Sequence, residues 1–467
     1  MKSKPMTFAL YFGNRGFFPE KLIADARREV TSVLGRLGYG TLLLEESLTK
    51  YGAVEGPEDG RKYARFLRDN EGRYDGVILC LPNFGDETGA IAALQECGVP
   101  ILVQAYPDEL DKMGFADRRD AFCGKLSIMD VFVQHALPFT IFPPHTVSPS
   151  SDRFQEQVRQ FAAVCRTVNG LRRVTVGAIG ARTTAFKTVR FDELALQQYG
   201  ITTETLDLSE VFQRVRDVKT GSEVFHAKAE RLKNYTCWNG VPAGKLEMLA
   251  KLGVVLDAII ADYKLDCLAL RCWIELEKEL GVSPCVLLSD LNERGIASAC
   301  ELDVCNAISM QALLLASDRP AACLDWNNNY GDDPDKCILF HCGPVPQGLM
   351  AAKGQIVDHP MFAKSFGAGC GWGCNTGRLA ANPMTFASSK TADGVLSFYM
   401  GEGEITADPI ADDFFGCCGV ARIDNLQKLL AMIGHEGYRH HVGITSGHVA
   451  VPLREAFTRY LGYDLTV

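Results

Sequence analysis

Over the first third of the chain, short apolar runs alternate with amphipathic stretches, the pattern of βαβ units around a mainly parallel sheet. The runs at 6–12, 41–44, 76–81 and 99–105 are the predicted strands. Between the first two, Leu22, Ile23, Ala26, Val30, Val33, Leu34 and Leu37 recur at three- and four-residue steps. That spacing predicts a helix with one buried stripe, stopped by Gly38 and Gly40. The third strand runs into Pro82-Asn83-Phe84-Gly85-Asp86-Glu87. Ligands gather at the carboxyl ends of strands in open parallel sheets, so this loop is a candidate for function.

The stretch Pro144-His145-Thr146-Val147-Ser148-Pro149-Ser150-Ser151-Asp152 breaks the pattern. A helix over 152–168 and a fresh strand at 173–180 then begin a second α/β domain, continued by a helix at 246–263 and a strand from Asp266 to Arg271. Further strands are predicted near 284–288, 296–300 and 321–326. From about residue 345 the composition shifts to glycine-rich segments and short strands such as 394–400, with one helix at 424–433. The expected architecture is α/β: two Rossmann-like three-layer domains, 1–165 and 166–345, then a smaller β-rich, barrel-like C-terminal domain, 346–467.

Length agrees, since 467 residues at roughly 150 per domain suggest about three domains. With 47% apolar and 22% charged residues the chain is ordinary globular material, not a disordered one. Its net charge, 48 − 57 = −9, gives no basic field for nucleic acid or an anionic membrane. Seventeen cysteines, an odd number, point to a reducing compartment. The run Met6 to Phe12 meets Gly13-Asn14-Arg15 without a cleavage site, which reads as a strand and not as a signal peptide. No uncharged apolar run approaches the roughly 20 residues of a membrane span. A soluble cytoplasmic protein is expected.

Candidate chemistry sits at strand ends. His341 closes the run Cys337-Ile338-Leu339-Phe340-His341, and His440-His441 precede Val442. Neighbours on a strand point to opposite faces, so at most one of that pair faces a given site. Glu301 and Asp303 flank Leu302 at the close of a predicted strand, where alternation puts both on one face. Asp325 ends another short apolar run. Acids beside buried-strand sequence need a partner, a hydrogen bond or a cation. Two carboxylates with two imidazoles suit Mn²⁺, Fe²⁺, Co²⁺ or Zn²⁺; helix-capping or salt-bridged acids remain the alternative. Gly177-Ala178-Ile179-Gly180 lacks the full dinucleotide spacing, and Cys370 to Cys374 lacks the C-x-x-C spacing of a thiolate centre.

Several stretches together resemble the L-fucose isomerase and L-arabinose isomerase superfamily, most closely its shorter, fucose-isomerase-like bacterial branch. They are Gly13 to Pro19, Leu81 to Glu87, Arg118 to Lys125, Gly180-Ala181-Arg182, Arg271-Cys272-Trp273, Ala299 to Val304, Phe340-His341-Cys342-Gly343 and His440-His441-Val442. The resemblance implies a metal-dependent aldose–ketose isomerase working through an enediol, with Mn²⁺, or another divalent metal such as Co²⁺ or Fe²⁺, held by Glu301, Asp325, His341 and His441. Glu301 and Asp325 would also be the catalytic acid–base pair. The step between them, 325 − 301 = 24 residues, fits the family, although Leu302 stands where a small residue is common. An Asp at 325, as in fucose isomerases, leans the substrate away from L-arabinose.

The resemblance further implies a homo-oligomer, expected to be a hexamer, in which a neighbour's N-terminal domain closes each site. Arg15, Asn83, Glu87, Asp120 and Lys125 are then candidate substrate contacts, and Trp326 or Trp372 an apolar face for the sugar. The substrate stays open among fucose-like, arabinose-like and 6-substituted sugars such as sulfoquinovose. A rival reading is a non-catalytic sugar-binding or regulatory protein with two α/β lobes. A nicotinamide-dependent oxidoreductase is a third, weakened by the missing phosphate loop.

Overall fold

In the computed structural model, which describes residues 5–183 and 185–466, the chain forms two parallel-sheet α/β domains followed by a closed six-stranded β-barrel. One compact unit ends at Asn169 and takes back Arg454–Gly462; the other is Gly170–Leu453 with the residues from Tyr463 on.

The first sheet contains β1 (Thr7–Phe12), β2 (Gly40–Leu43), β3 (Gly76–Leu81) and β4 (Ile101–Ala105), all parallel, in the order β2-β1-β3-β4. The helix Lys21–Arg36 buries Leu22, Ile23, Ala26, Val30, Val33 and Leu34, the stripe its spacing predicts. The second sheet repeats this order with β5 (Val174–Ile179), β6 (Ile201–Leu206), β7 (Cys267–Leu270) and β8 (Ala297–Cys300) as β6-β5-β7-β8. All its pairings are parallel. Its functional edge is therefore the carboxyl side, where β7 and β8 run into 271–274 and 301–303.

The segment predicted as a strand near 284–288 is instead part of the helix Cys285–Glu293. Its residues Cys285 to Asn292 are all buried, and the apolar run Cys285 to Leu288 has no periodicity that separates a buried strand from a buried helix. Pro284 immediately before it suits a helix start.

The barrel strands are β9 (Ala321–Asn329), β10 (Lys336–His341), β13 (Asn382–Ala392), β14 (Val395–Ile405), β15 (Cys417–Arg422) and β16 (His441–Ser446). They run β15-β10-β9-β16-β13-β14, and β14 pairs back onto β15 to close the ring. Outside the ring, β11 (Gln355–Asp358) and β12 (Trp372–Arg378) extend from β15, and β17 (Asp464–Leu465) pairs with β14. The strand predicted at 321–326 is the start of β9 and pairs in the barrel, not in the second parallel sheet. Between β8 and β9 runs the helix Val304–Ser317, whose residues Val304 to Leu313 are all buried and which packs against both the second sheet and β16. Among the described residues no helix is long and apolar enough to cross a membrane.

Candidate active site

The antiparallel register of β9 and β16 sets Asp325 directly opposite His441, and that of β9 and β10 sets Asp325 opposite Phe340, one residue before His341. Opposed residues share a face, so Asp325 and His441 meet on one side of the barrel wall. Glu301 arrives from β8 by a different route. Glu301 and Leu302 both adopt left-handed backbone (φ 60° and 61°), and Asp303 then caps the helix Val304–Ser317 by accepting the Asn306 amide at 3.0 Å. Both acids reach His441 through a tight turn and a helix cap; the strand alternation expected to set them on one face stops at Cys300, where β8 ends.

Asp303 is fully buried and pairs with the buried Arg439 guanidinium, leaving its second oxygen 2.8 Å from His441 Nδ1. An ionised carboxylate only accepts, so the neutral His441 ring, the form that binds a metal, keeps its proton on Nδ1 and turns its Nε2 lone pair the other way. Nε2 lies 3.1 Å from Glu301 Oε2 and 3.4 Å from Asp325 Oδ1, yet neither His441 Nε2 nor Asp325 Oδ1 makes a hydrogen bond. His341 Nε2 is likewise buried without a partner. Its Nδ1 accepts the Cys342 amide at 3.0 Å, which keeps the proton on Nε2.

Burial would raise the Glu301 carboxyl, but the imidazole of His441 beside it brings it below its ordinary pKa. Asp325 is raised, with burial outweighing the histidines around it. Burial also resists charge on His441, yet Cys323, Asp303 and Glu301 raise it well above the usual imidazole range.

Buried polar atoms without partners are rare, and here they cluster on side chains that bind divalent metals. Asp325, His440 and His441 bring one potential ligand atom each to within 4.8 Å of one another, as do Cys323, His341 and His441. A cation among Glu301, Asp325 and His441 would satisfy atoms that the protein leaves bare. His341 could join only by moving its proton to Nδ1, which the Cys342 amide now faces.

Glu301, Asp325 and His341 line a cavity of about 130 Å³ together with Glu277, Ser283 and His359. Trp326 points elsewhere: it lies next to Asp325 on β9, donates from Nε1 to Tyr399 Oη at 2.9 Å, and packs edge-on against Phe386. Trp372 packs against the core of the second α/β domain. His440 keeps 41% of its side chain exposed beside the buried His441.

In the N-terminal unit, Arg15, Asn83 and Glu87 form one cluster. Arg15 pairs with Glu87, donates from Nε to Gly85 O at 2.8 Å and stacks over Phe84, while its amide donates to Asn83 Oδ1 at 3.2 Å. Lys125 is buried, donates to His145 O at 2.8 Å, and is lowered by burial to about 8. Asp120, in left-handed backbone, pairs with Arg118 at 2.5 Å on the surface. Sequence reasoning missed Arg439, Glu277 and His359. Arg439 adjoins the His-His pair and carries a positional signal; Glu277 lies in Glu275-Leu276-Glu277-Lys278-Glu279, which reads as an exposed helix.

Residues 9–172 match the family described as Fucose/sulfoquinovose isomerase, N-terminal domain, and residues 339–467 match L-fucose isomerase, C-terminal domain. The chain belongs to the fucose isomerase-like family. It is an aldose–ketose sugar isomerase, of a family that is generally metal-dependent. Among curated relatives, the sulfoquinovose isomerase of Priestia aryabhattai is 25% identical over 393 residues, 82% of this chain and 83% of that one. The sulfoquinovose isomerase of Alkalicoccus urumqiensis is 25% identical over 313 residues, 66% and 69% of the two chains. That of Clostridium sp. strain MSTE9 is 23% identical over 266 residues, 56% and 58%.

Proposed function

We propose that this isomerase moves a proton between C2 and C1 of an aldose at the Glu301–Asp325–His441 site, with a divalent transition metal of the Mn²⁺, Co²⁺ or Fe²⁺ class as cofactor. The observation that carries this reading is His441, held by Asp303 so that a bare Nε2 faces two carboxyl groups. Glu301, Asp325 and His441 would hold the metal, which when bound supplies Lewis acidity toward a carbonyl. Glu301 and Asp325 supply a base for the proton beside the carbonyl and an acid for the oxygens. His341 donates its Nε2 proton into the same cavity and orients a sugar oxygen. Similarity to sulfoquinovose isomerases favours a 6-sulfonated hexose among the candidate substrates, ahead of fucose-like and arabinose-like sugars.

Protein dialysed against EDTA is expected to lose aldose–ketose turnover and to regain it with one equivalent of Mn²⁺, Co²⁺ or Fe²⁺ per chain. Deuterium uptake from D₂O at the sugar's C1 and C2 reports the proton transfer, and elemental analysis the stoichiometry. Full turnover of metal-free protein would defeat the proposed metal role.

Self-association belongs to the same reading. The N-terminal unit exposes Phe17, Leu110, Met113, Phe115, Phe122 and Leu126, apolar side chains that favour burial against another surface. Light scattering is expected to give the mass of a hexamer, about 6 × 51.2 kDa. A monomer with full activity would rule out a site shared between subunits.

A further inference from the structure

The cavity beside Glu301 and Asp325 holds two buried polar groups that the proton transfer does not use. Glu277 is 2% exposed and sits on the short helix Glu275–Leu280. Its Oε1 accepts from Ser283 Oγ at 2.9 Å, whereas Oε2 is buried with no partner. His359 is also 2% exposed and also lines the cavity, with Nδ1 unpartnered. Phe362, stacked at 4.1 Å, and Phe415, at 5.1 Å, fix its ring. A carboxyl and an imidazole left unsatisfied in one cavity form a polar surface for hydroxyl groups.

We propose that Glu277, together with His359, is a specificity-determining pair that hydrogen-bonds a hydroxyl of the sugar chain other than those at the carbons where the proton moves. This inference rests on the isomerase reading of the same site. Glu277 is suited to the task because its free oxygen has no competitor among the described residues, while Ser283 fixes the other oxygen and so the plane of the carboxyl. Burial pushes the carboxyl up to about 8, so at neutral pH it carries a proton that it can donate. A site built to pair a hydroxyl discriminates strongly against a sugar lacking it, because its own polar groups are then left bare.

The test uses full-length, metal-supplemented enzyme and the best substrate found among common aldoses, with analogues of it lacking one hydroxyl at C4, C5 or C6. With wild type, one of these deletions is expected to raise KM about tenfold or more. In Glu277→Leu the parent sugar should show that same rise in KM, the sensitive deletion should have no further effect, and kcat should change little. Glu277→Gln, whose amide can donate in place of the carboxyl, should recover most of the discrimination. His359→Phe, a ring for a ring between Phe362 and Phe415, carries the same comparison where the leucine variant does not fold.

Equal discrimination among the analogues by wild type and both variants would overturn the proposal. So would a uniform loss on every sugar. If wild-type enzyme with metal exchanges no sugar proton with solvent, the isomerase reading itself fails and this inference falls with it.

Discussion

Glu301→Gln is expected to lower isomerase turnover by about 10²- to 10⁴-fold, the range for removing a positioned acid–base group, while leaving the protein folded. The amide has the shape of the carboxyl but takes no proton in the working pH range and is a poor metal ligand. Folding should tolerate it. The turn at Glu301 and Leu302 is set by backbone, and Asp303, not Glu301, caps the helix and holds Arg439. The carboxyl's close contact is His441 Nε2 at 3.1 Å, a pairing that makes no hydrogen bond. Deuterium exchange at sugar C2 measures the chemistry, and a thermal melt of the same sample measures folding. Turnover within threefold of wild type would remove Glu301 from the mechanism; a collapsed melting transition would assign it a structural role instead.

Why the site was only partly readable in the sequence follows from how its residues meet. The parallel-sheet pattern of β1 to β4 was legible because strand and helix periods differ. Glu301 and Asp325 were legible as acids at the ends of apolar runs, where a bare charge is costly. What joins them was not. Asp325 meets His441 through the β9–β16 register, a pairing of residues 116 positions apart that no local pattern encodes (441 − 325). Glu301 meets His441 through two successive left-handed residues, neither of them the glycine that usually announces such a turn. Cys285 to Leu288 reads equally as strand or helix because the run is apolar throughout. Glu277 was hidden by its neighbours: the half-buried Glu275 and the exposed Glu279 of a charged helix flank the one acid that turns inward.

Asp303→Asn is expected to be the more damaging change for the molecule as a whole. It leaves Arg439, 3% exposed, without its counter-charge, and breaking a buried pair from one side costs about 3–5 kcal/mol. The helix cap is not what is lost, because asparagine caps as well as aspartate. With the asparagine oxygen kept on the Asn306 amide and Arg439, its NH2 faces His441 Nδ1 as a donor, so the ring proton moves to Nε2, which no longer faces Glu301 and Asp325 as a fixed lone pair. Removing such a supporting partner typically lowers metal affinity by about 10- to 100-fold. Urea unfolding of the metal-free protein measures the first effect, and metal titration of the folded variant the second. The pH dependence has a definite sign. Burial would raise the Asp303 carboxyl, but Arg439 and His441 more than offset it and hold it below its ordinary value. A carboxyl depressed in the folded state stabilises above its unfolded pKa of about 3.9 and stops doing so as pH falls through the folded one. The stability gap between wild type and Asp303→Asn should therefore be full at neutral pH and close only in acid below about pH 4. A gap that stays constant into strong acid would mean that the Asp303 charge contributes nothing to folding, and that Arg439 finds its counter-charge elsewhere.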